Sequence, residues 1–145
     1  MAALAEAGRP GDDVGLVYVV DSELSDHLSG AYAGLIGRGR GAGDPGAALA
    51  QDERARAHSV TERAAAALGG VPADIRAGRV EREVVAAAEG RDLLVVVRDG
   101  DRSRLGPKSI GKHVRFVVDH APCPVLLVWP GRAPGVETIP PPPHH

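Results

Sequence analysis

Apolar positions along the chain form short unbroken runs that alternate with helical stripes. VGLVYVV (Val14 to Val20) is β-branched and apolar on both faces, which predicts an interior strand. Asp21 or Ser22 can cap a helix after it. Leu24, Leu28, Tyr32 and Leu35 or Ile36 then recur at spacings of three and four, until GRGRGAGDPG breaks the stripe into a connector. From Ala47 to Leu68 the chain lacks Gly and Pro, has high helix propensity and stops at Gly69-Gly70, so it predicts the longest helix, with its charges toward water. DIRAGRV (Asp74 to Val80) is a weaker strand, EREVVAAAEG a short helix ended by Gly90, and DLLVVVR (Asp92 to Arg98) the strongest buried strand. A long loop follows. GKHVRFVVDHA then places Val114, Val117 and Val118 on one helical face, and PVLLVWP, Pro124 to Pro130, is the last strand.

Strand and helix alternate throughout, which implies an α/β fold: a doubly wound parallel sheet with helices on both faces, in a single domain over residues 1–130. Residues 131–145, GRAPGVETIPPPPHH, are Pro-rich and predict a disordered or polyproline tail. The length of 145 residues suits one domain with a sizeable core. Aromatics are only 3% of the chain, so that core must be aliphatic.

A net charge of −2 gives no broad cationic surface, which argues against sequence-independent binding to nucleic acid or to an anionic membrane. The single cysteine excludes an internal disulfide and fits a reducing compartment. No apolar run approaches the roughly 20 residues of a membrane span, and the start lacks a secretory pattern. The expected location is cytoplasmic.

Within the long loop, GPKSIGK (Gly106 to Lys112) has the Gly-x4-Gly-Lys spacing of a phosphate-cradling P-loop, but His113 stands where a Mg²⁺-ligating Ser or Thr belongs and Pro107 removes a backbone donor. Arg98, Arg102, Arg104, Lys108 and Lys112 outnumber Asp99 and Asp101, so the loop is locally cationic, and a helix starting at Gly111 favours an anion. His113, His120 and Cys123 match no zinc spacing. His120 is read instead as a partner for the last helix carbonyls, and Cys123 as a small buried packing residue. Asp99-x-Asp101-x-Ser103 begins like a calcium loop without its downstream Glu. No catalytic constellation emerges, and the reading is of a protein that is not an enzyme.

From Asp92 to Pro130 the chain closely resembles the last third of universal stress proteins: a strand, a long glycine loop, a helix and the ending HAPCPVLLV. VGLVYVVD and GRVEREVVAAAEGRDLLVV resemble the family's second strand and its third strand with the following helix. The resemblance implies a small α/β domain, a homodimer formed through the last strands, and a role in stress adaptation. ATP-binding members carry Gly-x2-Gly-x9-Gly-(Ser/Thr) in this loop, and those positions fall on Arg98, Asp101, Gly111 and Lys112. Only one of the four is kept. Together with Val19 on the second-strand match, these are the cofactor-binding positions that the resemblance carries over. A carboxylate at Asp101 repels phosphate and a side chain at Arg98 crowds it, so the expected cofactor is none, with ATP or AMP as the alternative.

The family's first strand has no counterpart. Either the chain starts late, or Val14 to Val20 pairs directly with Asp92 to Arg98. Homodimer contacts are expected through Val125, Leu126, Leu127, Val128 and Trp129, since a long apolar edge strand invites pairing. An obligate place in a larger signalling assembly is a third reading.

Overall fold

The structure, a computed structural model, describes residues 13–22 and 45–144. The helix expected across Leu24 to Ile36, its glycine connector and any strand before Asp13 lie outside these residues. The described residues fall into two compact units, one of 13–22 with 45–87 and one of 88–144.

In the first unit, β1 (Leu16–Asp21) runs parallel to β2 (Ala73–Gly78), in a register that sets Leu16 against Ala73 and Asp21 against Gly78. The ladder partner of β1 is thus β2. Two helices, α1 (Pro45–Ala67) and α2 (Val80–Ala87), pack on both strands. The inward stripe of α1 is built from small residues: Gly46, Ala57 and Thr61 are buried, and Ala50 and Ala64 half-buried. Small side chains let a helix axis approach a sheet closely, which is how an Ala-rich segment of weak amphipathicity finds one face to bury. Thr61 adds no orphan polar atom, because its hydroxyl donates to the Ala57 carbonyl at 2.5 Å. Asp52, Arg54, Arg56, Glu62 and Arg63 face water, as the composition predicts.

In the second unit, β3 (Leu94–Val97) runs parallel to β4 (Val125–Val128), and α3 (Lys112–His120) connects them. The ladder extends by one residue at each end, to Pro124 before β4 and to Arg98 after β3: Leu94 N donates to Pro124 O at 2.9 Å and Arg98 N to Val128 O at 2.9 Å. On α3, Val114 and Val117 are buried but Val118 is 40% exposed, so the apolar face is narrower than the spacing predicts. His120 ends α3 as expected, with Nδ1 2.8 Å from Phe116 O and its ring stacked on Phe116 at 4.0 Å between centroids. Cys123 is half-buried and not fully buried.

The strands are less enclosed than their apolar runs predict. Val17 is 41% exposed, Leu93 42% and Val97 48%. Each strand has one hydrogen-bonded neighbour among the described residues, and a strand becomes interior only when flanked on both sides. The tail also departs from the composition-based expectation. Residues 136–138 form a single 3-10 turn that bonds to the long loop, because Thr138 supplies a hydroxyl that the prolines cannot.

Because Ala57 is fully enclosed at 0% exposure, an added side chain there has no room. We expect Ala57→Leu to lower unfolding stability by about 1–3 kcal/mol, the usual effect of overpacking, as read from the midpoint of urea denaturation.

Candidate functional site: the loop between β3 and α3

The loop leaves β3 at Arg98 and closes on itself within a few residues. Gly100 N donates to Ser109 O at 3.0 Å and Asp101 N to Lys108 O at 2.8 Å, so the outgoing and returning arms are cross-bonded. That approach requires glycine at position 100, where a Cβ would collide with the Lys108 carbonyl and the Ser109 backbone. The return arm turns at Gly106, whose φ of 128° disfavours any other residue, and continues through a 3-10 turn at Pro107–Ser109.

Three side chains then complete the closure. Asp99 Oδ1 accepts the Gly111 amide at 2.6 Å, placing a carboxylate at the N-terminal cap of α3, where the helix dipole favours negative charge. Asp101 Oδ1 accepts both the Ser103 amide, at 2.8 Å, and the Ser103 hydroxyl, at 2.6 Å, with Arg104 Nε 3.7 Å from its other oxygen. Ser109, 1% exposed, accepts from Arg98 NH1 at 2.6 Å and donates to Gly106 O at 2.6 Å. The Arg98 guanidinium also lies 4.7 Å from the Trp129 ring centre, a cation–π distance. Its Nε is buried without a partner among the described residues.

Four of the five sequence-derived cofactor positions therefore belong to this loop. Arg98 and Asp101 point into its internal bonding, Gly111 gives its amide to Asp99, and Lys112 is exposed at the first position of α3. Val19 belongs to the other unit, on β1 opposite Arg76. Sequence reasoning weighed Asp99 as loop charge and as the start of an incomplete calcium loop. It missed Asp99 as the cap of α3, Ser109 as the hub of the return arm and Thr138 as a tie from the tail. The Asp99-Gly100-Asp101 run was the one available signal for the first.

The structural setting of the loop, parallel strands with a helix returning on them, has a counterpart among known families. Residues 1–128 match the Universal stress protein family. The chain belongs to this family. No curated protein and no solved structure matches it.

In a universal stress protein this loop is the segment that the sequence resemblance ties to nucleotide. Where nucleotide-binding members would bring phosphate oxygens to backbone amides, this chain brings Asp99 to Gly111, and Asp101 to Ser103. Lysine and arginine heads at Arg102, Arg104, Lys108 and Lys112 remain on the exposed side. Among the described residues no three His, Cys, Asp or Glu side chains gather to hold a metal, and no helix is long and apolar enough to cross a membrane.

Asp101 is held below its ordinary value of 3.8, chiefly by the Ser103 hydroxyl, then by the Ser103 amide, with Arg104 and Lys108 adding charge. A depressed folded value means that this carboxylate supports the loop above about pH 3.8, and that the support is lost as pH falls below that through the lowered folded value. We expect Ser103→Ala to move the Asp101 titration upward toward 3.8, as read from its carboxyl carbon by NMR. An unmoved titration would show that the hydroxyl is not its main partner. Gly100→Ala should open the cross-bonded arms, giving faster amide exchange at Asp101 while Val96, in the β3 ladder, keeps its protection.

Proposed function

We propose that this universal stress protein is a non-catalytic, cytoplasmic, homodimeric module of stress adaptation that binds ATP weakly or not at all. The observation that carries this reading is the Asp99 carboxylate on the Gly111 amide at 2.6 Å. An anion site built on a helix N-terminus works through free amides and an unopposed dipole. Here the chain's own carboxylate engages the amide, so an incoming phosphate must displace a bond already made and then sit beside two negative charges. The Arg98 side chain, tied to Ser109 and stacked on Trp129, adds bulk where family members have glycine. The alternative, an ATP or AMP binder using the 98–112 loop, draws support from the exposed basic heads alone.

Calorimetric titration with ATP and Mg²⁺ decides between them. We expect no binding at micromolar nucleotide, and micromolar affinity would overturn the proposal in favour of the alternative. Arg98→Gly, Asp101→Gly and Lys112→Ser together should raise ATP affinity over that of the native chain. Equal affinity would shift the explanation from these substitutions to the Asp99 cap, which the triple variant leaves in place.

The dimer is proposed through β4. The carbonyls of Pro124 and Val128 face β3. By the alternation of strand backbone groups, those of Val125 and Leu127 point to the opposite edge. Leu126, 37% exposed, Val128 and Trp129 flank that edge. A second copy paired antiparallel across a two-fold axis would satisfy both rows. Leu127→Pro removes an N–H from the open edge and leaves the β3 ladder its bonds. Sedimentation at micromolar concentration should show a native dimer and a folded monomeric variant. A native monomer, or a variant that remains dimeric, would exclude this edge.

A further inference from the structure

The geometry points to residues 129–138 as an intramolecular strap that holds the 98–111 loop in its self-bonded form. This inference concerns regulation of the site just described, and rests on the reading that the loop is closed by the chain's own groups. The strap lies beyond residue 128, where the family match ends.

The strap is tied at both ends. At its start Trp129, directly after β4, lies under the Arg98 guanidinium at 4.7 Å. At its far end Leu105 N donates to Thr138 Oγ1 at 2.9 Å, a bond between residues 33 positions apart. Leu105 sits at the tip of the loop, half-buried between exposed Arg104 and exposed Gly106. Thr138 is fixed in turn, because its hydroxyl donates to Gly135 O at 2.7 Å inside the turn that its own amide closes on the same carbonyl at 3.0 Å. The result is a closed circuit: along the loop from Arg98 to Leu105, across to Thr138, back along the strap to Trp129, and across to Arg98.

Such a circuit acts on the loop's equilibrium between closed and open forms. Opening the arms between Gly100 and Ser109 requires the tip to move, and the tip carries Leu105. Once Trp129 is placed, the segment to Thr138 is short, so the second tie closes at little entropic cost. Because Thr138 presents an acceptor to a backbone donor, the tie needs a hydroxyl and tolerates Ser, whereas a Val of the same shape lacks the acceptor.

Amide hydrogen exchange on the full chain tests the strap. In the native chain Leu105 N–H should be protected. Thr138→Val should speed its exchange about two- to tenfold, the range expected for loss of one hydrogen bond of ordinary net strength, and should speed Gly100, Asp101 and Gly111 in the same direction. Thr138→Ser should exchange as the native chain does, and Val96 in the β3 ladder should be unchanged in both. The strap is overturned if Leu105 is unprotected in the native chain, a readout that needs no variant to fold. It is also overturned if Val and Ser variants exchange alike, or if Thr138→Val leaves the loop amides unmoved. A chain that binds ATP at micromolar concentration yet shows Leu105 protected, and released by Thr138→Val, defeats the proposed function and keeps the strap. A chain that binds no ATP with Leu105 unprotected does the reverse.

Discussion

A carboxylate on the first amide of α3 governs the loop between β3 and α3. Asp99 accepts the Gly111 amide, and with that one bond the start of the loop is tied to the start of α3. The rest of the closure follows from it. With both ends of the loop fixed, the intervening chain must fold back, and the fold-back brings Gly100 so near the Lys108 carbonyl that only a residue without Cβ fits. The helix dipole that makes a glycine loop attractive to a nucleotide is here answered from within the chain.

Hydroxyl groups hold the closed form because each can donate and accept at once. Ser109 takes a bond from Arg98 and gives one to Gly106; Thr138 takes one from Leu105 and gives one to Gly135. Each hydroxyl therefore serves two other residues at once. Arg98 shows the cost of this economy. Its NH1 is satisfied and its guanidinium plane meets Trp129, yet its Nε is buried without a partner among the described residues, a deficit of about 1–3 kcal/mol in ordinary circumstances. The contact with Trp129 and the bond to Ser109 must offset that deficit for the side chain to stay inside.

Much of the architecture was legible because it depends on local pattern. LVVV at β3, the stop at Gly69-Gly70 after α1 and the turn into α3 at Gly111 are each written in neighbouring residues, and the alternation of elements correctly implies parallel pairing. What sequence reading overestimated was enclosure. An apolar run reports that a strand can be buried on both faces, whereas Val17 and Val97 show that exposure is decided by which neighbours are present. The site was legible in its charges and not in its bonds. Asp99 and Gly111 are twelve residues apart and Leu105 and Thr138 thirty-three, and neither separation corresponds to a periodicity or a turn. A net positive loop predicts an anion; it cannot reveal that the anion is already supplied by the loop.

Replacing glycines by charged residues in a phosphate loop changes more than affinity. A glycine-rich loop has many accessible conformations, and a nucleotide that orders it must offset that entropy from its own binding energy. With Arg98 on Ser109, Asp99 on Gly111 and Asp101 on Ser103, the ordering contacts are intramolecular. On the function proposed above, the surface that such a loop offers does not change with ATP. A stress protein built this way needs some other means of changing state. Among the described residues the Thr138 hydroxyl on Leu105 ties the loop tip to a segment outside the family-matched residues, and the proposed strap would act on this surface through that bond.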